Sequence, residues 1–176
     1  FQIAPENRAR VQKLIASGRL LTGPWYTQTD FLVVGAESIT RNLLLGMADC
    51  KTLASRMAVG YVPDSFGQSA QLPMFLTQFA IDCAVIWRGW CKHDLAASEF
   101  RWRSADGSCV TTAVLPWGYG CAKWLPTDAS KAWEVLPGIL QKQARFSASE
   151  QILLPNGNDQ SPSEYGVPAM LDEFNT

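Results

Sequence analysis

The sequence predicts an α/β fold, and three observations predict it. Helix-patterned and strand-patterned segments alternate through the first half of the chain, in the order helix, strand, helix, strand, helix, strand, which favours βα units on a parallel sheet. The strand-patterned segments Met57 to Val62 and Cys83 to Trp87 are short apolar runs that read as buried strands. The 176 residues are 47% hydrophobic and 18% charged, a globular balance long enough for one domain with a sizeable core.

Taken in order, Pro5 to Ser17 reads as a helix: Val11, Leu14 and Ile15 fall at i, i+3, i+4 spacing, Pro5 suits a first turn and Gly18 a stop. Arg19 to Gly23 is a short strand candidate. Glu37 to Leu53 is helical, with Ile39, Leu43, Met47 and Cys50 on one face. After the strand Met57 to Val62, Leu72, Phe75, Leu76 and Phe79 give the clearest amphipathic helix. The pattern then changes. Glu99 to Arg103 and Ser108 to Leu115, around a turn at Ala105-Asp106-Gly107, predict a β-hairpin. Pro116 to Pro126 is a loop rich in Trp, Tyr and Gly. Asp128 is placed to cap a helix reaching Arg145, with Pro137 kinking it or starting a second segment. Gln151 to Leu154 is a strand candidate, Pro155 to Pro162 a polar loop, and residues 163–176 begin another helix.

The bulk numbers exclude several classes. A net charge of −1, with Lys and Arg scattered, advertises neither a nucleic-acid groove nor a membrane-binding face. No apolar run approaches the ~20 residues of a membrane helix, and residues 1–18 carry charges throughout, unlike a signal peptide. A first residue Phe1 rather than Met is what a natural start upstream would give, and a trimmed product would look the same. The cysteines Cys50, Cys83, Cys91, Cys109 and Cys121 form no CxxC pair; reduced, mostly buried thiols fit a cytoplasmic protein. Cys91 and His93 lack the second pair that a tetrahedral metal site requires.

The most informative run is Gly60-Tyr61-Val62-Pro63-Asp64-Ser65-Phe66-Gly67-Gln68-Ser69-Ala70-Gln71-Leu72-Pro73. It sets a carboxylate, Asp64, where a buried strand gives way to a turn, the end of a parallel sheet at which ligands and catalytic groups gather. The structural alternative is ordinary turn chemistry, with Asp64 bonding neighbouring amides. Three strands end in polar loops bearing Asp64, Arg88 and Asp159. Retaining glycoside hydrolysis needs two carboxyl groups about 5–5.5 Å apart, and a nearby arginine would keep the nucleophile ionised. Arg88 equally suits a surface ion pair, and Asp159 a turn. Glu37 with Arg41 is an i, i+4 pair of structural type. Trp25, Trp87, Trp90, Trp117 and Trp124 suit a sugar site or plain packing.

The run from Gly60 to Pro73 resembles the nucleophile loop of the family 38 glycoside hydrolases, the class II α-mannosidases. Gly23-Pro24-Trp25-Tyr26-Thr27-Gln28-Thr29-Asp30, Glu37-Ser38-Ile39-Thr40-Arg41-Asn42-Leu43-Leu44, Ile86-Trp87-Arg88-Gly89 and Leu153-Leu154-Pro155-Asn156-Gly157-Asn158-Asp159-Gln160 are similar to other family segments, in the family's order. Thr27 to Asp30 points to the bacterial branch that includes mannosylglycerate hydrolases. The resemblance implies an irregular seven-stranded β/α barrel, of which residues 1–176 are a partial catalytic domain. It implies Asp64 as nucleophile and zinc ligand, Arg88 beside the reacting sugar, Asp159 as general acid/base and Tyr119 as a sugar contact. The family often has an Asp after that Tyr, where this chain has Gly120. The family's zinc is held by two His and two Asp. Here the one histidine, His93, matches neither position and only Asp64 is present. A middle portion of a catalytic domain, inactive by itself, is therefore implied, with a mannoside as substrate and exposed sheet edges that favour association with the remainder or with further copies. Two other readings stand beside it: a non-catalytic α/β carbohydrate-binding or structural module, and a barrel hydrolase of the polysaccharide deacetylase kind. The deacetylase would need an Asp-Asp pair and a His-rich motif, both missing from the sequence.

Overall fold

Pro5 opens a 3₁₀ turn, Pro5–Asn7, that leads into α1, Arg8–Ala16. The helix stops where Gly18 turns left-handed at φ 72°, with Gly18 N–H bonding Ile15 O and Arg19 N–H bonding Leu14 O at 3.0 Å each; such paired bonds satisfy the last carbonyls of a helix. This computed structural model describes residues 3–89 and 95–175. The described residues cluster into two units, one of 3–89 with 101–112 and one of 95–100 with 113–175.

In the first unit, α2, Ala36–Leu53, buries Ile39, Asn42, Leu43, Gly46 and Cys50. The expected face is therefore right, but two of its central positions are a polar residue and a glycine, and Met47 is only half-buried. Both exceptions serve the segment at 24–27. Asn42 Oδ1 accepts from the amides of Tyr26 (2.8 Å) and Thr27 (3.2 Å), and its Nδ2 donates to Thr27 O at 2.7 Å. Gly46 lies so close that a Cβ there would collide with the backbone of Pro24, Trp25 and Tyr26.

β1, Gly60–Val62, pairs in parallel with β2, Cys83–Ile86, in the register Gly60↔Ala84, Tyr61↔Val85, Val62↔Ile86. Between them α3, Leu72–Gln78, buries Leu72, Phe75 and Leu76 and completes the βα unit that the sequence predicts. α3 rests directly on β1: a Cβ at Gly60 would lie 2.6 Å from Leu76 Cδ1. β3, Glu99–Arg103, and β4, Cys109–Val114, extend the sheet in the order β1-β2-β4-β3, making it mixed. Between them the chain turns at Gly107 (φ 91°), Ser104 N–H bonding Ser108 O at 2.8 Å. The Asp106 carboxyl is held below its ordinary range chiefly by the Ser108 hydroxyl. Ser104 also supplies a cap from outside its own segment, its Oγ accepting from Met74 N–H at 3.1 Å in the first turn of α3.

In the second unit, α4, Ala129–Ala144, starts at Asp128, whose side chain accepts from Lys131 N–H at 3.0 Å. Pro137 lies inside α4 without ending it. α5, Val167–Phe174, buries Met170 and sets Phe174 against Trp133, ring centroids 4.8 Å apart.

Three strand expectations need correction. Residues 19–23 are not a strand, because Gly23 adopts φ 76°; Thr22 O nevertheless accepts from Met57 N–H at 2.7 Å. That bond draws Met57 away from the sheet, so β1 begins at Gly60 rather than at 57. Residues 151–154 are not a strand either. The Ser149 hydroxyl takes the Gln151 amide at 3.2 Å, and Ser147 and Ser149 both donate to its carbonyl, local bonds that compete with a ladder.

Replacing Asn42 with Ala would strand the Thr27 amide and carbonyl and leave the Tyr26 amide only its 3.3 Å bond to Asn42 O, at a cost of about 2–3 kcal/mol. Gly46→Ala, which must displace backbone, would cost about 2 kcal/mol or more. Urea unfolding midpoints check both, with the exposed Ala36→Ser as a neutral control. A pH effect follows at Asp128. Hydrogen bonds from Ser130 and Lys131 pull its carboxyl below the ordinary aspartate value of 3.8, so its contribution is full above that value and is lost as pH falls through the lower folded one. Melting temperatures between pH 6 and 2 should fall less steeply for Asp128→Asn, which keeps the cap and does not titrate.

Candidate active site

The parallel register generates the first site pair. Asp64 follows Val62 by two residues and Arg88 follows Ile86 by two, and Val62 and Ile86 are register partners. The two loops thus leave the sheet side by side, and Arg88 Nε donates to Asp64 Oδ1 at 2.7 Å. The guanidinium lies over the Trp87 ring at 4.0 Å and the Phe66 ring at 4.8 Å, contacts that favour a cation over an aromatic face. Gly67 and Gly89 have φ of 94° and 86°, and a Cβ on Gly89 would come within 2.9 Å of Gly67 Cα. Only glycines let the two loops approach this closely in that conformation.

A third segment, 25–30, holds the Asp64 loop from the other side. Asp30 Oδ1 accepts from Phe66 N–H at 2.7 Å, and the buried Ser65 donates to Thr29 O at 2.6 Å. Trp25 Nε1 and Gln28 Nε2 donate to Tyr61 O at 3.0 and 3.4 Å, satisfying that β1 carbonyl with side chains. Trp25 packs edge-on against Phe31. Burial pushes the Tyr61 hydroxyl above its ordinary pKa, leaving it a neutral phenol. Asp30 was visible only as the end of the Thr27 to Asp30 motif, and Asn42, which anchors this segment to α2, only as a polar residue beside an apolar stripe.

The second unit carries the other sequence-predicted residues. Loop 119–124 runs beside loop 155–158: Gly157 N–H bonds Tyr119 O at 2.7 Å, and Ala122 N–H bonds Pro155 O at 3.0 Å. This brings the Tyr119 hydroxyl onto Asp159 Oδ1, to which it donates. Asn156 Nδ2 bridges Ala122 O at 2.7 Å and Glu164 Oε2 at 3.0 Å. Gly120 permits the approach, since a Cβ there would sit 2.9 Å from Gly157 O and 3.3 Å from Lys123 Cδ. Beside these loops opens a cleft of about 230 Å³ lined by Lys123, Trp124, Asn156, Asn158, Ser161 and Glu164, among others.

The structure therefore assembles Asp64 with Arg88 in the first unit and Tyr119 with Asp159 in the second. The strand expected to deliver Asp159 is a loop pinned by the 119–124 segment. Glu37 and Arg41 form an exposed ion pair within α2, the structural role expected of them. Of the tryptophans, Trp25 and Trp87 are half-buried, while Trp117 and Trp124 are 45% and 73% exposed; Trp90, Cys91 and His93 lie outside the described residues. Cys50 is buried, but Cys83, Cys109 and Cys121 are only half-buried, less than the sequence suggested; all four are free thiols. Among the described residues no group of three or more His, Cys, Asp or Glu could hold a metal, and no helix is long and apolar enough to cross a membrane.

Residues 2–175 match the family model of the glycosyl hydrolases family 38 N-terminal domain. A Halalkalibacterium halodurans protein named "Putative mannosylglycerate hydrolase" is 37% identical over 179 residues, covering 95% of this chain and 20% of that protein. Alpha-mannosidase G of Dictyostelium discoideum is 28% identical over 116 residues, 64% of this chain and 11% of that one. Among solved structures, an α-mannosidase from Enterococcus faecalis V583 superimposes with a TM-score of 0.90 at 26% identity, over 99% of this chain and 20% of that chain. A further family 38 protein from Enterococcus faecalis shares the fold, with a TM-score of 0.73 at 24% identity over 98% of this chain and 18% of that one. The chain thus spans about a fifth or less of the length of these relatives.

Gly89→Ala should cost about 1–2 kcal/mol for its left-handed backbone, beyond the clash with Gly67. Urea unfolding measures the loss, with Gly138→Ala, inside α4 where a Cβ meets nothing within 4 Å, as the control that should lose no stability.

Proposed function

From the premise that the chain belongs to glycosyl hydrolase family 38, we propose that it is part of the catalytic domain of a retaining α-mannosidase, with Asp64 as nucleophile and Asp159 as general acid/base. The relatives named above supply the reaction class. The observation that carries the residue assignment is the Asp64–Arg88 pair at the ends of two parallel neighbouring strands.

In this reading Asp64 attacks the anomeric carbon as the bond to the leaving oxygen breaks, giving a covalent glycosyl-enzyme, while Asp159 protonates that oxygen. Asp159 then takes a proton from water, which attacks the anomeric carbon and releases Asp64. Arg88 holds the nucleophile through Oδ1 and orients Oδ2 for attack. The Tyr119 hydroxyl fixes the rotamer of Asp159 and stands close enough to it to touch the sugar. With side chains 32% and 47% exposed, the Arg88–Asp64 pair is worth no more than about 1 kcal/mol to stability, so its orienting role is the larger one.

The described residues do not by themselves fit a zinc site, since Asp64 is the one family ligand in the chain and its charged partner is Arg88. In the complete enzyme Asp64 would share zinc with ligands from outside this segment, and the metal would supply Lewis acidity toward the sugar hydroxyls. The same reading makes the four strands part of a seven-stranded barrel with β3 and β4 as an inserted hairpin, the enzyme cytoplasmic, and the isolated 176-residue segment inactive.

The gene's full-length product should hydrolyse p-nitrophenyl α-mannoside and contain zinc. Asp64→Asn should lower kcat by at least about 10³-fold, and Arg88→Gln by about 10²-fold at nearly unchanged melting temperature. Asp159→Asn should cost about 10²–10⁴-fold with an alkyl leaving group and far less with p-nitrophenolate, which departs without a proton. A metal-free, inert full-length product would sink the reading in favour of a binding or structural module.

A further inference from the structure

We propose that Asn156-Gly157 is a deamidation site, and that converting Asn156 to aspartate unties loop 155–158 from loop 119–124. Of the chain's asparagines, Asn156 alone precedes a glycine. Glycine lacks a Cβ, so its amide nitrogen can swing freely toward the preceding side chain. Once deprotonated, the Gly157 nitrogen attacks Asn156 Cγ and expels ammonia, closing a five-membered succinimide. Water then opens the ring at one carbonyl to aspartate, or at the other to isoaspartate, whose backbone runs through the side chain. The net change is amide plus water to acid plus ammonia, with no oxidant or cofactor involved. Asn156 is exposed in a loop without regular structure, where water and hydroxide reach it.

The pairing of the two loops sets a gate on this reaction. Gly157 N–H, the group that must lose its proton, donates to Tyr119 O at 2.7 Å. The departing nitrogen, Asn156 Nδ2, donates to Ala122 O at 2.7 Å and to Glu164 Oε2 at 3.0 Å. Attack therefore waits for a local opening of the loops, and its rate follows the opened fraction.

The same bonds decide what the product does. Nδ2 is a donor set between two acceptors, and deamidation puts an oxygen in its place. The new carboxylate then faces Ala122 O and the Glu164 carboxylate at the 3.0 Å that the amide now spans. Like charges at that separation repel. Glu164 is not free to swing away, because its Oε1 accepts from Trp124 N–H at 2.6 Å. That bond helps to hold Trp124 at φ 59°, a left-handed conformation unfavourable for any residue with a Cβ. The neighbouring cation, Lys123, donates to Asn158 Oδ1 at 3.0 Å and lies over the Trp124 ring, so it would have to leave both to neutralise the new charge. Loops that have opened are thus kept apart by the product, and the opening becomes irreversible. Tyr119 and Asp159, which this pairing brings together, are released with it.

The test uses the gene's full-length product and reads no activity, so its outcome is separate from that of the mannosidase reading. Protein aged in mildly alkaline buffer and then digested should show the amide-to-acid mass gain, with isoaspartate, at Asn156. The gain should build up roughly tenfold or more slowly than in a synthetic peptide of residues 151–162, which has no gate. In Asn156→Asp, amide hydrogen exchange at Gly157 and Ala122 should speed up by roughly ten- to a hundredfold, the worth of one hydrogen bond to a charged group. Asn158→Asp adds the same charge two residues away, beside Lys123, and should leave both amides near wild type. No mass gain at Asn156, a rate equal to the peptide's, or wild-type exchange in Asn156→Asp would each overturn the proposal. So would an equal acceleration in Asn158→Asp, which would make the effect one of added charge alone.

Discussion

The constraint on which the first unit depends is the parallel pairing of β1 with β2. A parallel ladder cannot slip by one residue without turning every side chain to the opposite face, and here Val62 and Ile86 are both buried inward. Their burial therefore fixes where each strand ends, and two residues later it fixes Asp64 opposite Arg88. The α3 crossover enforces the same register from above, because Leu76 can sit over β1 only where Gly60 has no side chain. Core packing and site geometry are one constraint expressed at two places on the same strands.

A second layer of restraint comes from polar groups inside the apolar stripe of α2. Asn42 occupies a position that packing alone would give to leucine, and uses both ends of its amide to hold the backbone at 26–27. That segment then reaches Tyr61 through Trp25 and Gln28 and the Asp64 loop through Asp30. A buried amide whose partners are all met contributes specificity as well as stability, because any other packing of α2 would leave the same groups unsatisfied. The path from α2 to the Asp64 loop is thus a chain of direct hydrogen bonds.

Much of this was legible in the residues. Periodicity located the helices to within a few positions, since 3.6-residue spacing survives any tertiary setting, and the apolar runs before Pro63 and Arg88 marked the strands that matter. Asp64 and Arg88 were legible because each directly follows such a run. What stayed hidden depends on partners distant in sequence. Nothing near Met57 announces that Thr22 will take its amide, and nothing near Gln151 announces that neighbouring serines will outcompete a ladder. In the sequence Tyr119 and Asp159 look unrelated. Their contact needs two glycines, Gly120 and Gly157, whose value appears only when their loops meet. Asp30 and Asn42 were missed as supports because a polar residue that braces a loop looks, in one dimension, like any other surface residue.

The balance of these interactions distinguishes the Asp64–Arg88 pair from an ordinary surface ion pair. Half-exposed as it is, it can contribute little to folding. Yet it is enclosed by restraints larger than itself: two left-handed glycines in backbone contact, a buried serine bonded across to Thr29, and a carboxylate, Asp30, bonded to the amide two residues beyond Asp64. Surface pairs made for stability gain nothing from such rigidity, because flexible side chains find each other without it. Rigidity of this order matters where a carboxylate oxygen must be held within a fraction of an ångström of a reacting carbon. The surplus of support over stabilisation is what the proposed nucleophile would require, and it falls on the same two residues that the strand ends single out.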